Sequence, residues 1–125
     1  MDNCLFCDRN NFQKEIIIEN KLFYAKWDGH PISNGHALIF PKKHIKSFFE
    51  LKQGEITEFF ELLKKTKKII DSKYSPDAYN IGINDGVEAG RTIHHLHIHI
   101  IPRYKDNVEN PRGGVRHIIT GKGYY

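Results

Sequence analysis

Apolar and polar positions along this chain follow two different periods. From Lys14 to Trp27, β-branched and aromatic residues crowd into two short runs around Glu19-Asn20, predicting strands over about 14–19 and 21–27. A loop, GHPISNG, follows. In HALIFP, His36, Leu38 and Phe40 alternate against Ala37 and Ile39, a third strand that Pro41 closes. The period then changes. Between Lys52 and about Lys73, Ile56, Phe59, Phe60, Leu63, Lys67, Ile70 and Tyr74 recur at i, i+3, i+4 spacing, apolar apart from Lys67. Lys64, Lys65 and Lys68 lie mostly on the opposite side, and Ser-Pro-Asp ends the helix. AYNIGI predicts a fourth strand, NDGVEAGR a loop, and Ile93–Ile101 a fifth strand stopped by Pro102. Residues 104–125 lose periodicity and read as an extended arm. The order β-β-β-α-β-β predicts an α+β fold, with an antiparallel sheet carrying a helix on one face and residues 1–125 forming a single domain.

Composition narrows the function classes. Hydrophobic residues at 39% and charged residues at 27% are ordinary for a globular chain, and the apolar runs are too short to span a bilayer. MDNCLFCDRN lacks an apolar core of signal-peptide length, so the expected location is cytoplasmic, with no membrane partner. A net charge of +4 favours anionic partners, and nucleotides suit it as well as polymers do. No basic stretch is interleaved with aromatics, so nucleic acid is not the expected partner.

The most informative stretch is RTIHHLHIHIIPR, residues 91–103. On a strand, His95, His97 and His99 share one face, while Leu96, Ile98 and Ile100 point to the core. Neighbouring imidazoles would lie roughly 6.5–7 Å apart, given the strand rise. Such a row could hold a metal, act on an anion, or divide those tasks. His-x-His is a zinc-ligand spacing, but three ligands from one straight strand would strain a single metal site. Cys4 and Cys7 add a C-x-x-C, either a metal half-site or a redox pair, and their place at the N-terminus argues against the redox option.

Taken together, NGHALIFPKKH and INDGVEAGRTIHHLHIHIIPR resemble the histidine triad (HIT) family, whose signature His-φ-His-φ-His-φ-φ (φ apolar) is matched in full by residues 95–101. The resemblance runs from about residue 4 to residue 103. It implies a five-stranded antiparallel sheet with one long helix and a short one, paired across a homodimer. It also implies a purine-nucleotide substrate and hydrolysis of a dinucleoside polyphosphate or a nucleoside phosphoramidate at the α-phosphate, through a nucleotidyl-histidine. The alternatives are a nucleotide phosphorylase or nucleotidyltransferase, a non-catalytic nucleotide-binding regulatory module, and a zinc-dependent hydrolase. His99 stands where the branch that transfers to sugar phosphates usually has Gln.

Residue by residue, the resemblance makes His97 the nucleophile, held by the His95 carbonyl. It places His99 on phosphoryl oxygens and leaving group, and gives His36 a buttressing role. Thr92 would contact phosphate, Asn84 phosphate or ribose, Asp28 the ribose hydroxyls, and Phe6, Phe23 and Ile32 the base. Asp85 and Asp28 are also ordinary turn residues. A subset of the family binds structural zinc, which here implies Cys4, Cys7, His44 and His95 as ligands, with residues 1–13 as the zinc-binding N-terminus. Arg91 departs from the usual Gln and would favour longer or more anionic substrates. His94, at a strand start, is expected to pack into the core. Residues 104–125, with Arg112 and Arg116, resemble extensions of bacterial members.

Overall fold

The structure, a computed structural model, describes residues 3–125. Five strands form one antiparallel sheet: β1 (Ile16–Glu19), β2 (Phe23–Trp27), β3 (Ala37–Pro41), β4 (Ala78–Gly82) and β5 (Ile98–Arg103), in the order β1-β2-β3-β5-β4. The one long helix, α1 (Gln53–Tyr74), joins β3 to β4. The expected second, short helix is present only as 3-10 turns, of which Phe48–Glu50 is fixed by a capping box between Ser47 and Glu50.

Strand alternation divides the core into two layers. Phe23, Ala25, Ala37, Ile39, Leu96, Ile98 and Ile100 face α1, while Leu38 and Phe40 face the other way, onto Phe6 and Phe12. Asn20 joins the first hairpin to the helix. Its Oδ1 accepts from the Leu22 and Phe23 amides at 3.1 and 2.9 Å, and its Nδ2 donates to the Glu58 carbonyl at 3.0 Å.

The helix buries Phe59, Leu62, Thr66 and Ile70. This corrects the face drawn from the sequence, because Ile56, Phe60 and Lys67 are exposed. The true stripe was obscured by Thr66, a polar residue at its centre. Thr66 hides its hydroxyl by donating to the Leu62 carbonyl at 2.8 Å, so burial leaves no unpaired group. Ser75 in the left-handed region (φ +51°) and Pro76 after it end the helix.

The segment after β5 curls against the sheet. The Tyr104 hydroxyl donates to the Asn34 carbonyl at 2.6 Å, Gly114–Ile118 form a 3-10 turn, and Arg112 and Arg116 both lie over the Tyr125 ring. No helix among the described residues is long and apolar enough to cross a membrane.

Candidate active site and metal cluster

The face of the sheet turned away from α1 carries the histidines. β3 and β5 pair from Ala37↔Ile100 to Ile39↔Ile98, and the ladder stops there. Pro41 has no N–H to extend it, and the Leu96 amide donates instead to the Ile45 carbonyl at 2.7 Å. Residues 93–97 therefore bend away ahead of the strand, so β5 begins at Ile98 rather than at Ile93. The alternation survives the bend: Leu96 still enters the helix-side core, while His95 and His97 meet the Phe6 ring edge-on. His94 is a correction. It is exposed and accepts from Arg91 Nε at 3.1 Å instead of packing into the core.

Each imidazole is oriented by what its N–H meets. His97 Nδ1 donates to the His95 carbonyl at 2.8 Å, which leaves the lone pair on Nε2. His36, buried just ahead of β3, accepts the Ile32 amide on Nδ1 at 3.2 Å. Its proton is therefore on Nε2, which faces His99 Nδ1 at 3.0 Å and Asp28 Oδ2 at 3.2 Å. His99 Nδ1 is thus an acceptor, and the His99 proton sits on Nε2. The tight turn that presents His36 needs Gly35 at φ +87°, where a Cβ would lie 2.8 Å from the Tyr74 ring.

Burial holds all three imidazoles below the ordinary histidine range. For His36, desolvation outweighs the favourable Asp28 carboxylate, and Lys26 adds to the lowering. For His97, desolvation outweighs the His95 carbonyl and Asp28, with Arg91 and Lys26 opposing protonation. His99 falls furthest, to about 4, through burial and then its neighbours His97 and His36. The group is therefore neutral at physiological pH, a row of oriented lone pairs and N–H donors suited to acting on phosphorus.

A second cluster adjoins the first. Cys4 Sγ lies 3.4 Å and Cys7 Sγ 3.6 Å from His95 Nδ1, and His44 Nδ1 lies 3.2 Å from both Cys7 Sγ and His95 Nδ1. All four ligand atoms fall within 4.8 Å of one another. His95 Nε2 donates to the Pro41 carbonyl at 2.8 Å, which fixes the lone pair on Nδ1, toward the sulfurs. Two thiols and two imidazole nitrogens form a zinc-type tetrahedral donor set, so these residues fit that metal. Burial, then the neighbouring Cys4 thiol, push the Cys7 thiol up to about 11. A divalent cation reverses that tendency.

The remaining sequence-predicted residues are distributed unevenly. Asp28 is at the site, though its Oδ1 accepts the His30 amide at 2.7 Å and its Oδ2 faces His36. Asn84 and Thr92 are exposed, and neither side chain bonds another described residue. Arg91 is half-buried, its guanidinium donating to the Lys46 carbonyl at 3.3 Å. Ile32 is 74% exposed, whereas Phe6 is buried behind His97. Phe23 lies on the helix side against Phe59, the opposite face from the histidines. Asp85 is structural, accepting from the Ser47 hydroxyl at 2.9 Å and the Phe48 amide at 3.0 Å.

The sequence reading missed three features: the Pro41 carbonyl, the Asp28–His36 pair and the buried Lys26. The second was within reach, because Asp28 and His36 flank β2 and β3 and their backbones pair, Asp28 N–H to His36 O at 2.9 Å.

A family model described as the HIT domain matches residues 9–106. The bis(5'-nucleosyl)-tetraphosphatase [asymmetrical] of Schizosaccharomyces pombe is 38% identical over 91 residues, covering 73% of this chain and 50% of that protein. A bis(5'-adenosyl)-triphosphatase of Saccharomyces cerevisiae is 37% identical over 95 residues, covering 75% and 46%. The chain thus spans about half the length of these two relatives. The crystal structure of a HIT family protein from Bacillus anthracis superposes with a TM-score of 0.76 at 31% identity, covering 82% of this chain and 74% of that one.

Proposed function

This chain belongs to the HIT domain family, and on that premise we propose that it hydrolyses a dinucleoside polyphosphate or a nucleoside phosphoramidate at the α-phosphate, through a nucleotidyl intermediate on His97. The observation that carries the reading is the 2.8 Å bond from His97 Nδ1 to the His95 carbonyl. It leaves Nε2 of a neutral, buried imidazole as the nucleophile. The activities named for the two yeast relatives support the substrate class.

In the first step Nε2 attacks the α-phosphorus and the bond to the bridging oxygen or nitrogen breaks. The leaving group takes the Nε2 proton of His99. Water then attacks the same phosphorus and returns a proton to His99. The P–N bond to His97 breaks, releasing the mononucleotide. His36 keeps His99 Nδ1 as an acceptor throughout. Asn84, Arg91 and Thr92 bind phosphate oxygens and Asp28 the ribose. Ile32 offers the base an apolar contact, and Phe6 braces His97 from behind.

Cys4, Cys7, His44 and His95 hold zinc in this reading. When bound, zinc cross-links the N-terminus to the segment bearing His97 and takes no part in the chemistry. Pairing of two copies into a homodimer belongs to the same reading and is checked by light scattering of the purified protein.

The test is turnover of diadenosine tetraphosphate and an adenosine phosphoramidate, wild type beside His97→Ala. Wild type releases mononucleotide, and the variant loses at least ~10³-fold in kcat. AMP binding by wild type without turnover of either substrate would replace the hydrolase reading with a nucleotide-binding module. Products that form only with added inorganic phosphate would make it a phosphorylase.

A further inference from the structure

The histidine face contains a charged group that the mechanism above does not use. Along β2, Phe23, Ala25 and Trp27 face the helix, while Tyr24, Lys26 and then Asp28 face the histidines. Lys26 is in register with Leu38, and Leu38 with His99. Lys26 therefore lies two strand spacings, about 10 Å, from His99 on the same face. It is also close enough to oppose protonation of both His36 and His97.

Its side chain is only 6% exposed, a burial that lysine rarely accepts unless paired. Nζ meets Glu15 Oε2 at 2.9 Å and donates to the Trp27 carbonyl at 2.8 Å. The cross-strand neighbours are Ile16 and Leu38. An apolar residue would fill such a position at lower desolvation cost, so stability alone does not account for the ion pair. Its outer end is the Glu15 carboxylate, 43% exposed, with Oε2 fixed by Lys26 and Oε1 bonded to no other described residue.

We propose that Glu15, held in place by Lys26, reads the nucleobase and makes the site selective for guanine. The inference rests on the nucleotide-site reading above. A nucleoside with its α-phosphate at His97 and its ribose at Asp28 continues along β2 toward Lys26 and Glu15. Guanine presents N1–H and its exocyclic 2-amino group as two parallel donors, a match for one carboxylate. Its O6 accepts the remaining N–H of Lys26. Adenine turns the N1 lone pair toward that carboxylate and has no 2-amino group. Sites built on such hydrogen bonds reject the analogue that leaves them unpaired.

The experiment is calorimetric binding of GMP and AMP to wild type, Glu15→Gln and Lys26→Met. Turnover of diguanosine and diadenosine tetraphosphate is measured on the same preparations. The expected result is GMP binding at least ~10-fold tighter than AMP in wild type. Glu15→Gln brings the two within about 2-fold, chiefly by weakening GMP, because an amide cannot accept both base donors. Lys26→Met lowers the ratio in the same direction. AMP binding as tight as GMP in wild type overturns the proposal, and so does a guanine preference that survives Glu15→Gln. A guanine preference without cleavage of either dinucleotide would leave this inference standing and remove the hydrolase reading. Failure to bind either mononucleotide would remove both.

Discussion

His95 and His97 are two residues apart in one bent segment, yet they offer opposite nitrogens to their surroundings. His95 gives its Nε2 proton to the Pro41 carbonyl and turns a Nδ1 lone pair toward two thiols and His44. His97 gives its Nδ1 proton to the His95 carbonyl and keeps its lone pair on Nε2, beside His99. Both positions are buried histidines. What differs is the carbonyl that each ring finds, and in the proposed function this divides the cluster into a metal corner and a phosphate corner. Neither role can be read from a histidine alone.

The largest expected effect comes from breaking the metal corner. Replacing Cys4 and Cys7 together by Ser removes two of the four proposed zinc ligands, and the melting temperature should fall by ~10 °C or more. Metal analysis of wild type should give one zinc per chain, and of the variant none. A wild type without zinc, or equal melting temperatures, would refute this account of the corner. His36→Asn acts on the phosphate corner alone. The asparagine amide ends at the position of the imidazole Nδ1, short of His99, so His99 loses its fixed tautomer and kcat should drop roughly 10- to 100-fold with zinc content unchanged. Unchanged kcat would mean that the 3.0 Å contact between the two rings does not serve catalysis.

Both corners became partly legible from the alternation of residues 95–101, because period 2 assigns faces whether or not the backbone is paired. The site residues that alternation could reach, His97, His99 and His36, do converge on one face. It could not tell where the ladder ends, since that depends on Pro41, 56 residues before His97 and lacking an N–H. Nor could it separate the two layers for aromatics. Phe6 and Phe23 look equivalent in the sequence, but one packs behind His97 and the other under the helix. The helix was easier to find than its buried stripe, because Thr66 satisfies itself within the helix, a bond no composition reveals.

A smaller effect follows from pH. His36 and His99 have depressed pKa values in the folded protein, so the unfolded chain takes up protons first as the solution is acidified. Stability attributable to them is complete above about 6.5 and is lost as pH falls toward about 4, the His99 value. The slope is about 1.4 kcal/mol per pH unit for each proton. Denaturant midpoints between pH 7 and 5 should decline, and less steeply in His36→Asn. A flat profile would contradict the burial argument.

The smallest expected change is in Arg91→Gln, where a few-fold loss should appear on a dinucleoside polyphosphate and little on a phosphoramidate with an uncharged leaving group. Equal losses on both substrates would assign Arg91 to its bond with the Lys46 carbonyl rather than to the polyphosphate.

The division of the two corners stands or falls with the nucleophile. The most direct test is the intact mass of wild type and His97→Ala, acid-quenched within milliseconds of mixing with a dinucleoside tetraphosphate. The account predicts a transient wild-type species heavier by one nucleotidyl group, mapped by fragmentation to His97, and no such species in the variant. A nucleotidyl group on any other residue, or on none while substrate is being consumed, would contradict it.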